Sequence, residues 1–291
     1  MSLTNKIDFA VVFKVVNANP NGDPLNGNRP RTTYEGFGEV SDVCIKRKIR
    51  NRLMEKGMPI FVQSDDNKVD DYASLRSRAE AAKLPFSDAK KLQEEACKKW
   101  FDVRAFGQLF ALPSKKKGKK SEGDTEGGAG EDKGVSIGIR GPVSVQSAFS
   151  ITPVSVTSTQ ITKSVSADDP KEGKTRGSDT MGMKHRVDQG IYTFYGSMNP
   201  QLAVKTKFSD EDAKAIKSVL PRLFENDASS ARPEGSMEVL KVIWWQHNCP
   251  SGQTSSAKVH RSLRVSVGAD MKVKVNCDEI KGLNPEVIEG Y

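Results

Sequence analysis

Residues 17–31, NANPNGDPLNGNRPR, hold five Asn, three Pro, two Gly and two Arg. Such a stretch is rich in amide and guanidinium donors. Gly22 and Gly27 let backbone N–H groups come close to an anion. Arg29 and Arg31 add charge. A second basic group follows in SDVCIKRKIRNRLMEKG, residues 41–57, with six basic residues against two acids. Ser41 is suited to cap a helix N-terminus and Gly57 its C-terminus. The positive end of that helix would face the loop. Ile45, Ile49 and Leu53 recur at i, i+4 and i+8, which turns one stripe to a core. Lys46 and Arg50 share a neighbouring ridge, with Arg47 about 100° around the helix from Lys46. Loop and helix together read as a clamp for a phosphate backbone.

Enzymatic chemistry is less well supplied. Asp23 lies in the loop, which leaves an endoribonuclease acting through it as the alternative reading. No histidine accompanies it, and no cluster of acids offers two-metal geometry. A lone Asp before Pro is commonly a turn residue. The four cysteines (Cys44, Cys97, Cys249, Cys277) form no CxxC pair, and there are only three histidines. No metal and no cofactor are therefore expected. No apolar run approaches the ~20 residues of a membrane span, and MSLTNKIDF lacks the apolar core of a signal peptide. A cytosolic protein with reduced thiols and no membrane partner is expected.

The formal net charge is +8. The lysine-rich segment 114–134 contributes little of it, with six Lys against five acids. Its six glycines and single alanine cannot bury enough surface to order it, so a flexible surface loop is expected.

The elements that must position these residues alternate in type. Residues 7–16 form a strand with Ile7, Phe9, Val11, Phe13 and Val15 on one buried face. The basic helix follows, then one or two helices over 72–101, broken at LPFSD. Next come WFDVRAFGQLFALP (100–113) and a β-rich stretch over 134–154. A strand at 190–200, a helix at 209–226 capped by Ser209, a strand at 237–247 and a peripheral hairpin at 262–275 complete the order. Without its insertions the chain reads βαββαβ, an α+β fold of the ferredoxin-like or RNA-recognition-motif type. An RNA-recognition protein of the ribonucleoprotein type would show surface aromatics. The aromatics of YTFY (192–195) read instead as core or interface.

The loop ANPNGDPLNGNRPR, the helix pattern of Ser41, Lys46, Arg47 and Arg50, and DVRAFG (102–107) together resemble the backbone subunit of type I-C CRISPR Cascade, of the RAMP superfamily. The resemblance covers nearly the whole chain in element order. It implies a non-catalytic subunit that repeats along a guide crRNA, holds the sugar-phosphate without reading sequence, and leaves bases free to pair with target DNA. It implies a palm made of residues 1–70, 100–152 and 190–291, helical fingers at 71–99 and a β-hairpin thumb at 153–189. Further copies of the chain, other Cascade subunits and phage anti-CRISPR proteins are the implied partners. On this reading Asn19 and Asn21 donate to phosphates beside Arg29, Arg31, Ser41, Lys46, Arg47 and Arg50. Arg104 of DVRAFG adds a phosphate contact, and Gly107 allows close approach of the backbone. The thumb contributes Lys163, Met183, Lys184 and Arg186, with Met181 and Met183 as wedges against a displaced nucleotide. His185 reads as a plain surface residue.

Overall fold

The computed structural model describes residues 1–112, 135–162, 181–268 and 272–291. The loop expected at 114–134 and residues 163–180 of the expected thumb, Lys163 among them, lie outside the described residues. In chain order the elements are β1 (Ile7–Ala18), β2 (Phe37–Val40), α1 (Asp42–Glu55), α2 (Leu75–Ala81), α3 (Ala89–Lys99), α4 (Phe101–Phe106), β3 (Gly107–Leu112) and β4 (Val135–Arg140). They continue with β5 (Val143–Val145), β6 (Ala148–Pro153), β7 (Val156–Thr162), β8 (Met181–Met198), α5 (Pro200–Thr206) and α6 (Asp210–Val219). The last are β9 (Met237–Gln246), α7 (Ser256–Ser262), β10 (Leu263–Val267), β11 (Val273–Cys277) and β12 (Pro285–Glu289).

The chain is α+β, built on one large antiparallel sheet in the order β12-β9-β1-β8-β6-β2, with β5 and β7 also paired to β8. β1 sits between β8 and β9, antiparallel to both. Phe9, Val11, Phe13 and Val15 point into one core, shared with Ile45, Ile49 and Leu53 of α1 and Ala213 and Ile216 of α6. Removal of each such side chain from water contributes roughly 2–3 kcal/mol.

The sequence predicts one buried face for β1, yet both are buried. Ala10 and Val12 pack into a second core with Ile243, Trp245, Val259 and Leu263. α7 and the β10–β11 hairpin cover this face. Asp8, which reads as solvent-facing in a simple alternation, is completely buried there. Its Oδ2 accepts from His247 Nε2 at 2.9 Å, and its Oδ1 lies 3.4 Å from His260 Nε2. His247 Nδ1 accepts from the Gln253 backbone N–H at 3.0 Å, which leaves the ring proton on Nε2. Burial alone would raise the Asp8 carboxyl. The hydrogen bond from His247, the nearby polar groups of His260 and Ser256 and the Lys6 charge outweigh it and hold the group well below the usual carboxylate range.

A second difference concerns β8. The sequence separates an arm at 153–189 from a strand at 190–200, but residues 181–198 form one continuous strand. Its C-terminal part is buried in the sheet, while Met181, Gly182, Met183, Lys184 and Arg186 are exposed and pair only with β7. With neither face packed into a hydrophobic core there, apolar alternation is not required and the strand is invisible to a hydrophobic pattern. α2 and α3 flank the expected break at LPFSD. They enclose a separate small core of Phe61, Leu92, Ala96, Trp100, Val103 and Phe110.

Candidate nucleic-acid interface

The polar loop after β1 is folded by its own amides. Asn19 is buried, and its Nδ2 donates to the Asn28 carbonyl at 2.7 Å while its backbone N–H donates to Ala231. Asn21 Oδ1 accepts from both the backbone N–H and the hydroxyl of Ser41, at 2.9 and 2.8 Å. A Cβ on Gly22 would lie 2.0 Å from Asn28 Oδ1, so a larger residue there would have to displace the Asn28 side chain. Asp23 caps the short turn at 24–26 through the Leu25 N–H, and its Oδ1 lies 3.6 Å from Arg31. The asparagines proposed as phosphate donors are thus engaged within the loop, and Asp23 acts in a turn.

Ser41 caps α1 by accepting from the Cys44 N–H, as the sequence predicts. The basic residues that follow are mostly taken up. Lys48 is buried against Asp227, which also binds Arg232. Burial pulls its ammonium below the usual lysine range, with Asp227 acting in the opposite direction. Arg50 Nε donates to Asp102 Oδ2 at 3.0 Å, and its guanidinium lies over Phe106. Arg52 binds Glu55 and the Glu225 carbonyl, and Lys56 donates to the Ser218 hydroxyl. Lys46 meets Asp42 at 2.9 Å in a partly exposed pair. Arg47 is exposed and has no partner among the described residues.

DVRAFG is a structural knot. Asp102 is buried and accepts from the backbone N–H groups of Phe61 and Val62 as well as from Arg50. Arg104 makes a two-pronged contact with Asp212 at 2.9 and 2.8 Å and lies over the Phe101 ring. Gly107 does allow close approach, but of protein. A Cβ there would lie 2.2 Å from the Ile139 carbonyl oxygen, and its φ is +81°.

The arm formed by β7 and β8 has two unlike faces. Cross-strand pairing sets His185 opposite Ser158, Met183 opposite Gln160, Lys184 opposite Thr159 and Arg186 opposite Thr157. Since side chains alternate along a strand, Met181, Met183, His185, Ser158 and Gln160 share one face. Lys184, Arg186, Thr157 and Thr159 occupy the other. The arm residues proposed for RNA are therefore divided between two surfaces. Met181 and Met183 are 68% and 56% exposed. Arg186 lies 3.6 Å from Asp188. The first face meets the polar loop, where Arg29 Nη2 donates to Ser158 Oγ at 3.0 Å. The structure thus brings together Arg29 and the methionine face of the arm. It also joins Asn21, Ser41 and the start of α1. Arg50 and Arg104 are half-buried and each is held by a carboxylate.

The family model for CRISPR-associated protein Cas7 matches residues 5–281. The chain belongs to the Cas7 family. A CRISPR-associated protein Cas7 of Haloferax volcanii is 24% identical over 257 residues, covering 83% of this chain and 71% of that protein. Among solved structures, a chain of a CRISPR RNA-guided surveillance complex in a pre-nicking state aligns with a TM-score of 0.45 at 16% identity, covering 82% of this chain and 75% of that one. A chain of a second CRISPR RNA-guided surveillance complex gives a TM-score of 0.42 at 16% identity, covering 82% and 68%.

Within this Cas7-family chain, sequence reasoning missed the acceptors. Asp102, Asp212 and Asp227 decide which cations are free. Position 48 carried a weak signal, because it flanks the apolar stripe about 60° around the helix from Ile45. Ser158 and His185 carried none, since their contact depends on strand register. Among the described residues no group of three or more His, Cys, Asp or Glu side chains is placed to hold a metal ion.

Proposed function

We propose that this Cas7-family protein is a non-catalytic backbone subunit of a CRISPR surveillance complex, of type I-C, that repeats along a crRNA and holds its phosphates without reading sequence. The family match over residues 5–281 carries this reading. The arrangement of the interface is consistent with it. The polar loop touches both the arm, through Arg29, and the start of α1, through Asn21 and Ser41, and Arg29, Lys46 and Arg47 present charge on these elements. Arg31 and Ser41 support that loop, Lys163, Lys184 and Arg186 supply charge along the arm, and Met183 is the wedge. Bases held by their backbone stay open for pairing with target DNA. Neighbouring copies, other Cascade subunits and phage anti-CRISPR proteins are the partners, in the prokaryotic cytoplasm.

The palm is ferredoxin-like on this reading. The central order β9-β1-β8-β6 supports it, with α1 between β1 and β6 in the chain and α6 between β8 and β9. Residues 71–99 serve as fingers and 153–189 as thumb.

The test is imaging of the purified protein on a guide-length RNA. A curved or helical stack of copies is expected, and isolated globules overturn the proposal. Incubation with labelled guide and complementary RNA, with and without magnesium, should leave both intact. Cleavage lost in Asp23→Ala would favour the nuclease reading instead.

A further inference from the structure

Arg29, Ser158 and His185 come from two distant parts of the chain and meet at the root of the arm. Ser158 and His185 are directly opposed across the β7–β8 ladder, with His185 Nδ1 and Ser158 Oγ 2.8 Å apart. Arg29 Nη2 reaches the same oxygen across 129 residues of sequence. Arg29 has no carboxylate partner among the described residues, unlike Arg31, Arg50, Arg104 and Arg186. Asp188 does not serve it, being bound to Thr157 and beside Arg186. Asp23 faces Arg31.

We propose that Arg29, Ser158 and His185 form a seat for one phosphodiester group of single-stranded RNA. The proposal rests on the RNA-binding reading above and adds two side chains to it.

The donor count supports an anion. A guanidinium has five N–H donors, and Ser158 occupies one of Arg29's. When His185 is neutral with its proton on Nε2, the Ser158 hydroxyl donates to Nδ1 and its hydrogen is not available to a ligand. When His185 is protonated, Nδ1–H donates to Ser158 Oγ, which already accepts from Arg29. The hydroxyl hydrogen is then released outward. Arg29 and the Ser158 O–H can then converge on one phosphate in charge-assisted bonds, while the imidazolium, whose Nε2–H points away from Ser158, adds its positive charge beside them. The charged groups around His185 are Arg29 from the loop and, on the reverse face of the arm, Lys184, Arg186 and Asp188. Met183 and Gln160 continue the same face, where an adjoining base can rest.

The experiment measures binding of the full chain to an unstructured oligouridine from about pH 8 down to about pH 5, the window in which histidine changes charge. Wild-type affinity is expected to rise on the order of tenfold as pH falls. The log–log salt slope should steepen by roughly 0.7, one extra single-strand phosphate contact. His185→Gln should flatten the profile and keep the shallower slope, and Ser158→Ala and Arg29→Ala should each reduce the rise. Arg47→Ala, outside the seat, should weaken binding equally at every pH. A His185→Gln protein with the wild-type profile and slope overturns the seat and leaves the RNA-binding reading standing. A wild-type chain that binds no oligouridine at any pH overturns both.

Discussion

α1 and the arm are both basic, and they use their charge in opposite ways. Of the six cations in 41–57, five have an acceptor within the chain. Lys48 and Arg50 are held by carboxylates in the protein's interior. On the arm, Lys184 is exposed, and Arg186 faces Asp188 only at 3.6 Å near the surface. A helix that dominates the formal charge therefore mostly builds the fold, while the plainer arm offers its charge outward. Between these extremes lies Lys46. Its partly exposed pair with Asp42, at i and i+4, is worth no more than about 0.5 kcal/mol, so a phosphate competes with Asp42 easily.

The contrast predicts distinct responses. Asp102→Ala should cost the most, about 3–5 kcal/mol in urea unfolding, because it strands Arg50, the buried Phe61 N–H and the half-buried Val62 N–H. Stability within 1 kcal/mol of wild type would break the contrast. Arg104→Ala should lose about 2 kcal/mol by removing the paired bonds to Asp212, with the RNA salt slope unchanged. A shallower slope at full stability would move Arg104 from the fold to the ligand.

Asp8 sharpens the comparison from the opposite side of the sheet. Its folded carboxyl titrates below the unfolded one, so the unfolded chain binds more protons in acid. Its stabilisation is present above the ordinary carboxylate range and is lost as pH falls below about 4. Asp8→Asn should therefore show a weaker fall in stability over that interval, read by urea unfolding at several pH values. An identical acid slope in both proteins would contradict the burial argument.

The smallest effect on stability is expected from Lys184→Ala with Arg186→Ala, within about 0.5 kcal/mol. The same change should lower the RNA salt slope by up to roughly 0.7 per lost contact. A large loss of stability there would mean that the arm, like α1, spends its charge on the fold.

Much of the architecture was legible because it depends on local patterns. The alternation of Ile7 to Val15, the cap at Ser41 and the break at LPFSD each announce an element from neighbouring residues. What escaped depends on distant pairing. Nothing near Ala10 or Val12 reveals that α7 and the β10–β11 hairpin cover their side of β1. Arg50 and Arg104 are legible as cations, but Asp102 and Asp212, which hold them, lie 52 and 108 residues away. The split of Met183 from Lys184 follows from strand alternation, yet it emerges only once 181–186 is known to be a strand.

One strand carries a mechanical consequence. β8 runs from the open arm into the middle of the sheet, and at roughly 3.3 Å per residue it spans about 60 Å. It works as a cantilever whose fixed end is clamped by β1 on one side and by β5 and β6 on the other. A load on the free end is carried along a covalent backbone into the core, with no hinge loop between. Deflection of the arm thus requires bending β8 itself, and its resting direction is set by the same ladder that holds the molecule folded.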